Sequence, residues 1–237
     1  MKKSLIAFKP FIQEIMQDTM LTVCLLVPIL AGSVFKFLIP FLEQLLCNYL
    51  HQATFLSPYY LIFDLLLALL APMMFAFPGT MVILGELDNS TAKYLSVTPL
   101  GRNGYIMSRL GIPTFIAILY TMVLLLIFSL TTITIPMLIS LSVSSGLMGL
   151  IPSLLVVSFA RNKVEGMAMN KFASVIMLGI FVPFFIDGKE QYLASFLPSF
   201  WFAQLATTHN YFLMIPLTTI MLLWIYLLWH KFEKKIM

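Results

Sequence analysis

From Leu110 to Ala160 the chain carries no Asp, Glu, Lys or Arg. A hydrocarbon layer about 30 Å thick is crossed by roughly 20 helical residues, so this stretch holds two crossings joined by a tight turn. In lipid every backbone amide needs a partner inside the protein, which restricts a crossing chain to helices or closed barrels. The apolar residues run continuously instead of alternating with polar ones, and that pattern selects helices. Composition agrees: 60% of the 237 residues are hydrophobic and 10% charged, against roughly 25% charged in a soluble domain. The fold class is all-α integral membrane.

Six transmembrane helices are predicted, at about 19–40, 59–84, 110–132, 135–160, 168–186 and 211–230, forming a single domain over 19–237. Residues 1–18 precede it as an amphipathic interfacial helix. Pro10 suits a first helical position, where its missing N–H is not wanted. Phe11, Ile12, Ile15 and Met16 then share one face, and Gln13, Glu14, Gln17 and Asp18 the other, as in a helix lying in the membrane surface. Lys9 and these polar residues interrupt the first apolar stretch, which argues against a signal peptide. Pro28, Pro72, Pro78, Pro113 and Pro152 fall inside spans, where neighbouring helices can re-satisfy the freed carbonyls. Ser142, Ser145, Gly146 and Gly149 give the fourth span a small-residue surface for close helix approach. Ala194–Ala206, apolar and aromatic around Pro198, is too short to cross. It reads as a re-entrant outer segment before span 6, with Trp201 at headgroup level.

Placing the N-terminus inside puts 12 of the 14 Lys and Arg residues on the cytoplasmic side. They lie in the N-terminal segment, in 85–109, in 161–171 and in the tail, and only Lys36 and Lys189 fall outside. By the positive-inside rule both termini are cytoplasmic. The net charge of +4 is thus accounted for by topology, with no nucleic acid implied.

Catalytic chemistry is not evident. There is no GxxxxGK[ST] loop, no HExxH and no paired-carboxylate or Ser-His-Asp constellation. Cys24 and Cys47 lack metal-ligand spacing and read as buried or lipid-facing thiols. The likely mid-span stretches carry almost no ionisable residues; Lys36 and Asp64 are the exceptions, and both should lie near the outer ends of their helices. They could pair with each other, Lys36 could pair with Glu43, each could snorkel to water, or they could line a substrate path with Phe200 and Trp201.

Residues 85–109, GELDNSTAKYLSVTPLGRNGYIMSR, form the longest polar interruption between spans. Asp88 or Asn89 can cap a helix start. Ala92, Tyr94, Leu95 and Val97 give a short helix with an apolar side, and Pro99 ends it by disfavouring helical geometry at Thr98. Gly101, Asn103 and Gly104 then suit a turn before the third span begins near Tyr105. A short helix held between two spans can receive a push from a soluble motor, or merely cap the bundle.

Here the sequence resembles the membrane subunit of type-2 ABC exporters. The resemblance lies in Glu86, Asp88, Thr91, Tyr94, Leu95, Thr98, Pro99, Leu100, Tyr105 and Arg109, and the form YLSVTPLGRNGYIMSR is close to the fluoroquinolone- or bacteriocin-export permease branch. LPSFWF at 197–202 is similar to that branch's motif before the last span. The resemblance implies that 86–100 form a cytoplasmic coupling helix seated on a separate ABC ATPase, with Arg102, Arg109, Arg161 and Glu165 also at the coupling surface. It implies two ATPase chains, a second permease chain, same or related, and the bacterial cytoplasmic membrane. ATP and Mg would be bound by the partner ATPase, and this chain would hold no cofactor and catalyse nothing. A pair of Glu86 or Asp88 with Arg109 or Arg102, solvent-exposed and worth under about 1 kcal/mol, would lock the loop to the helix ends. The implied function is export of a hydrophobic or amphipathic substrate (peptide, drug or lipid-like). The alternatives are an ATP-independent carrier and an immunity-type membrane protein.

Overall fold

In a computed structural model of the chain, residues 2–51, 54–89, 91, 94 and 101–236 are described. Among them the secondary structure is wholly helical. Helix α1 (Lys2–Gln17) leads into α2 (Thr19–Leu50), and α3 (Tyr60–Asp88) follows a short turn. A long rod then begins as α4 (Gly101–Ile106), widens into a π-turn (Met107–Gly111) and continues as α5 (Ile112–Phe128). Next comes α6 (Ile135–Phe159). Then α7 (Lys163–Ala173), a 3-10 stretch (Ser174–Ile180) and α8 (Val182–Phe185) run in succession. Finally α9 (Pro198–Thr208) precedes α10 (Met214–Ile236).

Among the described residues, five helices are long and apolar enough to cross a membrane: Thr19–Tyr49, Ser57–Asp88, Asn103–Phe128, Ile135–Phe159 and Tyr211–Lys235. The segment predicted as a fifth span, 168–186, is instead the α7, 3-10 and α8 succession. The 3-10 stretch exists because α9 packs against it. Ser199 Oγ of α9 donates to the Ile176 carbonyl, and Gly179 lies directly against Ser199 and the Phe200 backbone. A broken helix at membrane depth is tolerated only where other protein covers its backbone. The segment LPSFWF supplies that cover, which is why Phe200 and Phe202 are fully buried.

The first lead-in helix differs from expectation at Pro10, which sits inside α1 rather than at its start. Phe11 and Ile15 are buried, whereas Ile12 and Met16 point outward, so only one i, i+4 pair of the apolar face packs on the bundle. Asp18 ends the lead-in and caps α2, accepting from the Met20 and Leu21 amides at 3.0 and 3.3 Å. The rod α4–α5 starts nine residues before the predicted boundary at 110. The expected turn contracts to Gly101, whose φ of +67° suits glycine; Asn103 and Gly104 are helical.

Helices α3 and α6 form the centre. Within its most apolar stretch α6 is 67% buried, while those of α2 and α10 are 17% buried and leave broad apolar faces outward. The small residues of α6 make the central contact. A Cβ at Gly149 would lie 3.0 to 3.2 Å from Cβ, O and C of Pro72. The backbones of α3 and α6 therefore touch where a side chain would stand between them. Ser153 adds a 3.0 Å bond from Thr80 Oγ1. Gly149→Leu is expected to destabilise the bundle by about 1–3 kcal/mol through overpacking, visible as a lowered unfolding midpoint in detergent. A midpoint equal to that of the parent chain would contradict this contact.

Candidate functional site

At one end of the bundle converge α1, the end of α3, the start of α4, the start of α7 and the end of α10. Arg109, Arg161, Lys163 and Lys235 lie in this convergence, which we term the loop end. Its centre is the Glu86 carboxylate, held by Arg109 and Tyr105. Arg109 Nε lies 3.1 Å from both Glu86 carboxylate oxygens, and its Nη2 closes a second bond to Oε1. Tyr105 Oη donates to Glu86 Oε2 at 2.9 Å. The guanidinium stands 5.0 Å from the Phe11 ring centroid and 5.8 Å from that of Tyr105, within cation–π range. Glu86, Arg109 and Tyr105 are 7%, 5% and 0% exposed.

The pair is therefore buried, not the exposed pair expected from sequence. Two local features produce it. Helix α3 continues to Asp88, four residues past its predicted end, and turns Glu86 inward. The π-turn carries Arg109, placed with Tyr105 one turn earlier, toward that carboxylate. Single π-turns inside helices are costly and concentrate at functional positions. Burial changes the energetics as well: removing one partner leaves an uncompensated charge in a low-dielectric site. Glu14 of α1 feels the same cluster; partial burial first, and the charge of Glu86 second, push its carboxyl up from the ordinary value.

Around this centre the other predicted residues take separate places. Asn89 closes α3 as its C-cap instead of opening a new helix. The Asp88 carboxylate accepts from the Lys163 amide at 3.4 Å, tying the end of α3 to the start of α7. Asn162 caps α7 by accepting from Glu165 N at 2.9 Å. Glu165 reaches back to Arg161 N at 2.8 Å, so its carboxylate is engaged in a reciprocal cap. Arg161 and Thr91 are exposed, and Tyr94 is 72% exposed. Leu95, Thr98, Pro99 and Leu100 lie outside the described residues, and for Arg102 only the helical backbone is described. Sequence reasoning missed Lys235, whose ammonium donates to the Val157 carbonyl at 2.6 Å and to that of Ala160, capping the end of α6. A lysine in the last turn of the last span was the available signal.

The candidates for a substrate path do not come together. Asp64 is 2% exposed. It accepts from Leu130 N at 2.8 Å, Thr131 N at 2.9 Å and Thr131 Oγ1 at 2.5 Å, so it closes the tight turn between α5 and α6. Lys36 donates to the Ile127 carbonyl beside that turn. Glu43 is taken by Ser57 and Tyr60. Asp64 thus neither pairs with Lys36 nor snorkels, and Lys36 does not pair with Glu43. Phe200 is buried against Tyr192 and Trp201, and Trp201 donates from its indole to Ser195 O at 2.8 Å.

A protein-family comparison matches residues 11–230 to the family described as fluoroquinolones export permease protein Rv2686c-like. The chain belongs to this permease family. Nearly all of it is covered, from the α1 residues that touch Arg109 to the last span. It is accordingly a multi-pass membrane permease of the ABC exporter type. Comparison with curated proteins and with solved structures gives no significant match.

Proposed function

We propose that this permease is the translocation subunit of an ATP-driven exporter, worked from the loop end by a separate pair of ABC ATPases and paired with a second permease chain. The reading is supported most by one observation: the exposed aromatic Tyr94 follows, eight residues on in sequence, the Glu86 that a buried lock holds to Arg109 and Tyr105. A push at Tyr94 would reach α1, α3 and α4 together, because the lock joins all three. Two discrete packings of the bundle would then alternate. The loop end faces the cytoplasm in this proposal, since the segments 1–18, 85–109, 161–171 and the tail hold 12 of the 14 Lys and Arg residues in the sequence, and the membrane is the bacterial plasma membrane. The family name points to fluoroquinolone-like substrates, and broad apolar walls rich in Met and Phe suit hydrophobic or amphipathic molecules.

Detergent purification with a co-expressed ATPase subunit, followed by ATP turnover, tests the proposal. Stimulated turnover in a stable complex is the expected result; a chain that purifies alone and leaves ATP turnover unchanged overturns it. Within that complex Tyr94→Asp is expected to weaken ATPase association at least about tenfold, as loss of a central aromatic anchor does. Unfolding of the isolated permease should be unchanged, because Tyr94 is exposed.

A further inference from the structure

The π-turn that aims Arg109 at Glu86 has another face. Along it, Asn103, Met107 and Gly111 form one wall of a groove of about 330 Å³, closed by Leu154 of α6 and by Ile225 and Trp229 of α10. The volume falls in the range of sites that hold drug-sized ligands. The walls are apolar, but two polar groups border them unused. The indole N–H groups of Trp201 and Trp224 donate to carbonyls, whereas that of Trp229 has no hydrogen-bond partner among the described residues, and neither has the Asn103 amide. None of the side chains lining the groove is charged, so a phospholipid phosphate would find no cation there.

We propose that this groove binds a flat amphipathic ring compound carrying a carbonyl or carboxylate acceptor, entering laterally from the leaflet at the loop end. Its ring lies against the Trp229 face and the Met107 thioether, contacts favourable for an aromatic system. Its acceptor takes the Trp229 indole hydrogen, and Asn103 offers a second donor. The lock residues Tyr105 and Arg109 stand on the neighbouring face of the same helical turn, so occupancy of the groove and the state of the lock bear on one backbone segment. As a substrate entry point the groove rests on the exporter reading above.

Equilibrium dialysis of norfloxacin against the full chain in lipid nanodiscs tests it without any ATPase. Saturable binding by the parent chain is expected. Ile225→Trp, which fills the groove, should weaken it at least about tenfold. Trp229→Phe, which keeps the ring and removes the donor, should weaken it about three- to tenfold. If Ile225→Trp does not fold, Trp229→Phe together with Asn103→Ala decides. Absence of saturable binding, parent-like affinity in the variants, or a co-purified phospholipid in the groove that norfloxacin does not displace would each overturn the assignment. Failure of the ATPase to associate, by contrast, would remove the exporter reading and leave the dialysis result standing.

Discussion

Arg109→Ala is expected to be the most damaging single change at the loop end, lowering the unfolding free energy by about 3–5 kcal/mol. Glu86 would keep one bond, from Tyr105, while its charge remained buried. The Phe11 ring would lose the guanidinium it faces, loosening α1 from the start of α4. Glu86→Gln should cost less, because its amide oxygen still accepts from Arg109 and Tyr105 although the guanidinium loses its counter-charge. The decisive variant is the triple replacement Glu86→Met, Arg109→Met and Tyr105→Phe. Apolar substitution of a whole buried ionic cluster is often neutral or stabilising, so this protein should unfold near the parent midpoint. If the lock transmits motion, its ATP-stimulated export should still fall well below the parent rate. Thermal unfolding in detergent and export into proteoliposomes separate the two effects. Parent-like export by a stable triple variant would reduce the cluster to a structural plug.

Much of this architecture was legible in the residues, and the failures have physical causes. The charge-free run, the tight turn near 130 and the Ser142–Gly149 surface follow from hydropathy and residue size, which act locally. The breaking of 168–186 did not follow, since its own apolar run suits a helix; what breaks it is Ser199 and Phe200, roughly 20 residues away, packing on Gly179. The Glu86–Arg109 pairing was available only as one of several acid–base combinations. Its burial depended on a π-turn that no periodicity announces. Asp64 misled for a similar reason. An acidic residue in a span suggests a path for solute or ion, and its partners, two backbone amides and the Thr131 hydroxyl, carry no distinctive sequence signature.

For that reason Asp64 supplies the second test. Its two oxygens accept three bonds at the α5–α6 turn, and bonds to an ionised acceptor contribute about 1.5–3 kcal/mol each before the shared cost of burying the charge. Asp64→Ala would leave the Leu130 and Thr131 amides without their acceptor in a partly buried turn. We expect a loss of about 2–4 kcal/mol, with α5 and α6 fraying at that end and faster proteolysis near Thr131. Asp64→Asn retains one carbonyl acceptor and should lose about half as much. The order Ala worse than Asn follows from counting acceptors. A role in a charged substrate path predicts the reverse emphasis: both variants would lose the carboxylate equally, and export per folded molecule would collapse in both while stability held. Measuring unfolding and export on the same preparations therefore distinguishes a carboxylate that shapes the bundle from one that handles cargo. Equal, near-zero stability losses in the two variants would remove the turn-closing role assigned to Asp64.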